Sequence, residues 1–325
     1  MTSNQTTNQP QVFAGSAAYA RRSKPTGAES SSVLTVGNFD GVHLGHRSLL
    51  QEVVTAARSR GVPACVYTFD PPPRQVLAPS QAQARITPWP DRVRLLGEMG
   101  IEHVIIERFT RAFAQHPPGW FVDEILGRRI RPVEIIVGYD FRFGRARAGT
   151  LQTVAERLPD VPIRAVSALE HNGVTVSSSV IRKRIGGGDV WGAAELLGRP
   201  HRVSGVVVSG DRRGRTMGFP TANLECANEF VPASGVYAVW ARIDGGSPVE
   251  AVANIGVRPT FGANGPTRFE VHLLDWSGTI YGSEMDVSFV ARLRGEMQFE
   301  GVDELTAQIR SDVHAARTHL STDGD

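Results

Sequence analysis

Two histidines lie three residues apart where a predicted strand meets a predicted helix. The stretch VLTVGNFDGVHLGH occupies residues 33–46 and carries His43 and His46. An i, i+3 spacing places both rings on one side of the first helical turn. Because a helix N-terminus attracts anions, imidazoles there can donate hydrogen bonds to phosphate oxygens as charge develops in a transition state. The spacing therefore predicts an anion-binding corner with two catalytic histidines.

This corner belongs to a pattern of alternating strands and helices from about residue 33 to residue 185. After His46, helical periodicity predicts a stop at Gly61 and one apolar face, formed by Leu49, Leu50, Val53, Val54 and Ala57. Short apolar runs separated by helices predict a Rossmann-like parallel sheet covered on both faces. Ligands of such sheets bind beyond the carboxyl ends of the strands, where the corner lies.

The second half of the chain has a different rhythm. After the GGGD stretch at residues 186–189, alternating runs predict antiparallel strands, with a hairpin turn at Asp244–Gly246 and one closing helix. A small antiparallel β-barrel with a C-terminal helix is the simplest architecture. We therefore predict a disordered tail over 1–30, an α/β domain over 31–186 and a barrel domain over 187–325.

Composition limits the possible partners. The 325 residues are 41% hydrophobic and 21% charged with a net charge of +2, which is typical of globular proteins and gives no basic field for nucleic acid. Lys24 and Lys183 are the only lysines, so phosphate binding must depend on arginine, histidine, backbone N–H groups or a metal ion. The two cysteines, Cys65 and Cys226, indicate a reducing compartment, and no apolar run reaches membrane-spanning length. We expect a cytoplasmic protein without nucleic-acid or membrane partners.

The segment TVGNFDGVHLGHRSLL resembles the H-x-G-H signature of nucleotidylyltransferases, and more closely the bacterial bifunctional riboflavin kinase/FMN adenylyltransferases, or FAD synthetases. The resemblance implies that His43 and His46 are catalytic while this corner holds the phosphates of ATP. The implied ATP contacts are Gly37, Asn38, Phe39, Asp40 and Gly45. The attacking FMN phosphate is already ionised, so adenylyl transfer needs no general base and depends on positioning and charge stabilisation.

Two further stretches support this resemblance, and two positions depart from it. VGYDFRFGRARAG (137–149) is similar to the family's flavin loop and implies flavin contacts at Asp140, Phe141 and Phe143. VSSSVIRKRI (176–185) implies that Ser179 and Arg182 hold ATP phosphates, although Ser179 alone reads as a helix cap. Pro72 stands where relatives usually have a histidine, and Thr150 where they often have an aspartate.

The barrel half carries the second signature. GDRRGRTMGFPTANL (210–224) reads by composition as a turn-rich loop, but it resembles the G-x-P-T-A-N motif of riboflavin kinases. The resemblance implies Mg²⁺ ligands at Thr221 and Asn223, and ATP contacts at Gly210, Arg215, Gly218 and Pro220. In RFEVHLLDW it implies that Glu270 is the base for the ribityl alcohol, although strand alternation alone favours a solvent-facing residue. Arg294 is an implied flavin contact.

The sequence thus predicts an enzyme with two successive activities. It phosphorylates riboflavin to FMN with ATP and then adenylylates FMN to FAD with release of pyrophosphate, using Mg²⁺ as cofactor and ATP and flavin as substrates. One alternative is a riboflavin kinase with an inactive adenylyltransferase domain, for which Pro72 is the motif-level argument. Another is a flavin-binding regulator or RNA-binding module without turnover, which the near-neutral charge disfavours. A homo-oligomer is possible on this sequence.

Overall fold

The computed structural model describes residues 9–22, 31–209, 218–228, 230–257 and 267–322. Contacts among these residues divide the chain into two compact units. The first contains the described residues up to Ala84 and those of Trp89–Val176, and the second contains Arg85–Pro88 and the described residues from Ser177 onward. No helix in these described ranges is long and apolar enough to cross a membrane.

The first unit is built around a six-stranded parallel sheet with the order β1-β4-β3-β2-β5-β6. Its strands are β1 (Gln11–Phe13), β2 (Ser32–Val36), β3 (Ala64–Asp70), β4 (His103–Arg108), β5 (Pro132–Gly138) and β6 (Ile163–Val166). Its helices are α1 (Ser16–Ala20), α2 (Leu44–Arg60), α3 (Pro73–Leu77), α4 (Trp89–Glu98), α5 (Arg111–Ala114), α6 (Pro118–Trp120), which continues as a π-helix over Phe121–Ile130, and α7 (Leu151–Arg157). Short 3₁₀ turns occupy Pro79–Gln81 and Arg145–Arg147, and β7 (Glu170–His171) pairs with β8 (Val174–Thr175).

The strands are apolar on both faces because helices cover the sheet from both sides. On one face Val33 of β2 packs with Leu50 of α2 and Leu96 of α4. On the other face Leu34 of β2 packs with Phe121 and Ile125 of the π-helix. The left-handed Gly61 (φ 63°) ends α2 as the sequence predicted. The predicted doubly covered parallel sheet is confirmed.

The predicted disorder of the N-terminal segment is wrong for residues 9–22. β1 pairs with the edge strand β4, and the side chain of Tyr19 in α1 is fully buried. The backbone N–H of Ser16 donates to a carboxylate oxygen of Glu107 at 2.9 Å. The first thirty residues are polar on average, but they include Phe13 and Tyr19, which supply the apolar contacts that dock this segment. Residues 1–8 and 23–30 lie outside the described residues.

The second unit is a closed antiparallel barrel with the strand order β10-β13-β12-β11-β14-β9. The strands are β9 (His201–Val208), β10 (Ala222–Cys226), β11 (Gly235–Ile243), β12 (Val249–Val257), β13 (Thr267–Leu273) and β14 (Glu284–Arg294). The helices are α8 (Ser178–Gly186), α9 (Val190–Leu197) and α10 (Val302–Thr322). Asp244 and Gly245, both with positive φ, form the predicted hairpin turn between β11 and β12.

Strand alternation gives the barrel an apolar interior and a second apolar patch on its outer wall. Phe269, Val271 and Phe289 fill the interior, whereas α10 packs Ala316 and Leu320 against the outer patch. The predicted barrel with a C-terminal helix is confirmed. The boundary between the compact units falls before Ser177 instead of after Gly186, because α8 packs against α9.

The two cysteines are free thiols in apolar surroundings. Burial raises the pKa of the Cys65 thiol to about 12 and that of the Cys226 thiol to about 11. Both side chains are therefore protonated at neutral pH, which agrees with a structural role for each.

Candidate active sites

The strand order of the first unit places the histidine corner at the point where ligands bind in open α/β sheets. From β2 the chain continues outward through β3 and β4, then returns to add β5 and β6 on the other side of β2. The crevice of such a sheet opens at this reversal, beyond the carboxyl ends of the two central strands. The loop after β2 and the loop after β5 both begin there.

His43 caps α2 with its own side chain. The Nδ1 of His43 accepts the backbone N–H of His46 at 3.2 Å. Because an accepting nitrogen carries no proton, the neutral ring holds its proton on Nε2, which can donate to an anion. The rings of His43 and His46 stack at 3.6 Å with an interplanar angle of 15°. The predicted pair is thus assembled on the first turn of α2.

The loop between β2 and α2 has an unusual backbone. Phe39, Gly41 and Val42 all have positive φ, at 50°, 91° and 42°. For a residue with a side chain this conformation costs of order 1–3 kcal/mol and persists only when its surroundings enforce it. Phe39 and Val42 are buried in the core under α2, so the side chain of Phe39, a predicted ATP contact, serves the packing of the loop. Gly37 permits close packing, since a Cβ there would lie 3.0 Å from the Phe39 ring.

A buried arginine that sequence reasoning missed contacts this loop. Arg92 of α4 is 1% exposed and donates to Oδ1 of Asp40 at 2.7 Å. It also donates to the carbonyl oxygen of Asn38 at 3.2 Å, and its guanidinium lies 4.4 Å from the centre of the Trp89 ring. The carboxylate of Asp40, a predicted ATP contact, is therefore paired within the protein.

The loop after β5 is held by its aromatic residues. Phe143 is 8% exposed, and its backbone forms two reciprocal hydrogen bonds with that of Gly149. Its ring lies 5.2 Å from that of the half-buried Phe141, while Asp140 is exposed. Of the three predicted flavin contacts, Phe143 is thus mainly a core residue. Thr150, which stands where relatives often have an aspartate, caps α7 in a reciprocal capping box with Thr153. Its role in this structure is therefore local and structural.

A second aromatic group lies at the same edge of the sheet and was not predicted. His116 and Trp120 stack at 3.6 Å with an interplanar angle of 10°. Phe113 contacts both rings and also contacts Phe69 at the end of β3. The sequence does place aromatic residues at the end of β3 and after β4, but no single motif contains all of them.

Helix α8 carries the serine–arginine motif. Ser177, not Ser179, is its N-cap and accepts the backbone N–H of Val180 at 3.4 Å. The alternative interpretation of Ser179 as a cap is therefore wrong, and its exposed hydroxyl has no capping role. Arg182 lies one turn further along α8, in the second unit.

In the barrel, Glu270 lies on β13, between the neighbouring strands β10 and β12, and its side chain is on the outer side of the barrel. Register places it opposite Asn223 of β10 on one side and Asn254 of β12 on the other. Its Oε1 lies 2.7 Å from a guanidinium nitrogen of Arg268, and its side chain is 16% exposed. Alternation correctly pointed Glu270 away from the barrel interior, but the side chain lines a cavity.

That cavity has a volume of about 330 Å³ and lies between the outer wall and α10. Thr221 lines it beside Glu270, together with Asn254 and Arg294. His272, two residues beyond Glu270, contacts the carbonyl oxygen of Pro220 through Nδ1 at 2.8 Å. A carbonyl oxygen only accepts, so Nδ1 donates and ties the Pro220–Thr221 segment to the strand that carries Glu270.

Arg294 connects the cavity to its helical cover. Its guanidinium makes three hydrogen bonds of 2.8–3.1 Å to the carboxylate of Asp312 on α10 and a fourth to the carbonyl oxygen of Gly295. Asp312 is 5% exposed. The predicted flavin contact Arg294 therefore also fixes α10 above the cavity.

Comparisons with known proteins match both halves of the chain in order. The family model described as FAD synthetase matches residues 26–180, and that described as riboflavin kinase matches residues 197–320. A bifunctional riboflavin kinase/FMN adenylyltransferase of Escherichia coli is 39% identical over 89% of this chain and 93% of its own length. Its counterpart in Bacillus subtilis is 36% identical over 90% and 94%.

The chain belongs to the bifunctional riboflavin kinase/FMN adenylyltransferase family. As a family member it is an enzyme with both activities and with riboflavin, FMN and ATP as substrates. The predicted family and the predicted function are both confirmed. A crystal structure from Streptococcus pneumoniae, of a protein named as a macrolide-efflux protein, covers 95% of this chain and 99% of that protein, with a TM-score of 0.84 and 30% identity.

Two predicted ATP contacts of this riboflavin kinase/FMN adenylyltransferase, Gly210 and Arg215, lie outside the described residues. Gly218 is described and has a positive φ of 83°, which glycine adopts without strain. Pro72 precedes the first residue of α3 and offers no side-chain hydrogen bond there.

Proposed function

We propose that adenylyl transfer takes place at the histidine corner. The observation that carries the proposal is the placement of the two rings: His43 caps α2 by accepting a backbone N–H through Nδ1, and it stacks on His46 in the first turn of the helix. A phosphate oxygen of FMN attacks the α-phosphorus of ATP and forms a new P–O bond, while the bond from the α-phosphorus to the oxygen that bridges to the β-phosphorus breaks and pyrophosphate leaves. His43, His46 and the backbone N–H groups at the start of α2, including that of Gly45, stabilise the charge that develops on the transferred phosphoryl oxygens.

We propose that the phosphorylation of riboflavin takes place in the cavity of the barrel. The carboxylate of Glu270 accepts the proton of the ribityl primary alcohol while its oxygen attacks the γ-phosphorus of ATP. The bond to the β-phosphate oxygen breaks and ADP leaves, so the proton rests on Glu270 until solvent removes it. Arg268 holds the carboxylate in place at 2.7 Å.

Thr221 and Asn223 fit the Mg²⁺ of this reaction. Their neutral oxygens suit a hard cation that is bound mainly through nucleotide phosphates. Thr221 lines the cavity, and Asn223 lies in register with Glu270, so both are beside the base. Bound Mg²⁺ would neutralise charge on the transferred phosphate.

The other predicted contacts are assigned by the resemblance. Gly37 and Asn38 serve the ATP of adenylyl transfer, whereas Gly210, Arg215, Gly218 and Pro220 serve the ATP of the kinase reaction. For Ser179 and Arg182 the resemblance implies contacts with ATP phosphates. Asp140 and Phe141 contact the flavin in the first unit, and Arg294 does so in the barrel. The hydrogen bond from His272 to Pro220 supports the placement of Pro220 beside the strand that carries Glu270.

Separation of the products tests the proposal. Purified protein with riboflavin, ATP and Mg²⁺ should form both FMN and FAD. The Glu270→Ala variant should lose FMN formation and keep the conversion of FMN to FAD, and His46→Ala should show the reverse pattern. Loss of both steps in either folded variant would show that the two sites are not independent.

A further inference from the structure

Arg92 makes two contacts that join separate points of the loop between β2 and α2. One guanidinium nitrogen donates to the carbonyl oxygen of Asn38 and another to the carboxylate of Asp40. The planar fork of arginine suits this double contact, which the single ammonium of lysine cannot reproduce. The side chain is 1% exposed, so Arg92 does not touch a substrate in the crevice.

The loop needs such outside support. Phe39, Gly41 and Val42 adopt left-handed backbone conformations within four residues, and Val42 is β-branched. Strained segments persist when the surrounding structure enforces them, and they often occur at functional sites. The side chains of Phe39 and Val42 supply apolar contacts, and Arg92 supplies the polar contacts from α4.

The negative charge of Asp40 is a second reason why the loop needs Arg92. An unpaired carboxylate beside a triphosphate would repel it. In this chain Asp40 stands three residues before His43, and Arg92 pairs with its carboxylate at 2.7 Å. The pair thus holds the loop while cancelling a negative charge next to the anion site.

We propose that Arg92 is a positioning residue for adenylyl transfer. It sets the backbone of residues 38–43, and thereby the position of His43 and His46, through Asn38 and Asp40. On this proposal Asp40 acts on the loop through Arg92 instead of contacting ATP. The proposal rests on the adenylyl-transfer site proposed above.

The test is a kinetic comparison in the full chain, with FMN and ATP as substrates and FAD formation as readout. Arg92→Met should lower kcat about 100-fold, because small displacements of catalytic groups have effects of this size. The KM values for ATP and FMN should stay within about threefold, since the loss falls on the transition state. Arg92→Lys, which keeps the charge, should recover part of the rate and lose about tenfold in kcat.

A double-mutant cycle separates this role from a direct contact between Asp40 and ATP. If Asp40 works only through Arg92, adding Asp40→Asn to Arg92→Met should lower kcat by no more than about twofold. Multiplicative losses would overturn the proposal. So would an unchanged kcat in Arg92→Met.

Arg60→Met is the matched control for general destabilisation. Arg60 donates to the buried carboxylate of Glu134 at 2.7 Å. Glu134 lies near the start of β5, in the same unit but away from the histidine corner. Arg60→Met should keep kcat although its thermal midpoint falls. An equal loss of kcat in Arg60→Met and Arg92→Met at equal midpoints would assign the effect to stability and overturn the proposal.

His46→Ala separates this proposal from the one on which it rests. If His46→Ala retains full adenylyl transfer, the proposed site itself is wrong. If His46→Ala loses that activity while both Arg92 variants retain it, the site stands and only the role of Arg92 is wrong.

Discussion

The histidine corner and the glutamate cavity solve different chemical problems with different parts of the chain. On the functions proposed above, the corner faces an attacking group that is already ionised, and it offers hydrogen-bond donors from a helix start and two imidazoles. On the same proposal the cavity faces an alcohol that must lose a proton, and it offers a carboxylate between two asparagines on neighbouring strands. The charge state of the nucleophile therefore decides whether a site needs a base.

The two sites also differ in how the sequence encodes them. His43 and His46 lie within one helical turn, so local spacing alone brings them together. Glu270 meets Asn223 and Asn254 only through barrel register. Because Glu270 lies in the second unit and the two histidines lie in the first, a substitution at Glu270 should disturb one step without affecting the other.

The largest effect is expected at the base. Glu270→Gln keeps the size of the side chain but removes the carboxylate, so kcat for FMN formation should fall about 10²–10⁴-fold. Adenylyl transfer from added FMN should stay unchanged. Steady-state rates with riboflavin and with FMN measure the two steps separately. Kinase activity within about tenfold of wild type would mean that Glu270 is not the general base.

The histidine corner should show the next largest effect. Removal of one stabilising donor in His46→Ala should lower kcat for FAD formation about 10²–10³-fold. Kinase activity of the same preparation is the internal control for the barrel. The pH dependence of the residual FAD-forming rate can also be compared with that of wild type. An unchanged rate would contradict the role of the paired imidazoles.

A smaller effect is expected at the proposed Mg²⁺ ligand. Thr221→Val preserves shape and removes the hydroxyl oxygen, so the Mg²⁺ concentration for half-maximal kinase activity should rise about tenfold, or about 1.4 kcal/mol. The Mg²⁺ dependence of adenylyl transfer should not move. Parallel shifts in both activities would show that the variant acts through general stability.

The smallest expected effect concerns the docked N-terminal segment. Burial, with a smaller contribution from Arg22, lowers the pKa of His103 to about 4 from its ordinary 6.5. The unfolded chain therefore binds more protons between these values, and the stability of the first unit should fall as pH drops from about 6.5 to about 4. Above pH 6.5 the stabilisation is complete. The thermal midpoint of wild type should fall relative to that of His103→Phe as pH drops from about 6.5 to about 4, and parallel curves would contradict the prediction.

The sequence predicts most of the fold and the contiguous parts of the site. Apolar runs, helical periodicity and turn residues sufficed for the parallel sheet, for the barrel and for the turn at Asp244. Arg92 could not be predicted as a partner of Asp40, because 52 positions separate them and only the packing of α4 joins them. The docking of β1 was missed because Phe13 and Tyr19 are apolar residues in a polar segment. Ser177 was missed as the cap because three consecutive serines fit the same signal.

The central claim is that two separate sites perform successive steps with FMN as the shared product and substrate. Mixing the Glu270→Gln and His46→Ala variants tests it most directly, with riboflavin, ATP and Mg²⁺ supplied and FAD measured over time. Each variant alone should form almost no FAD from riboflavin. The mixture should form FAD after a lag, because FMN made by one chain is used by the other. A mixture that accumulates FMN without FAD, or forms neither product, would contradict the claim.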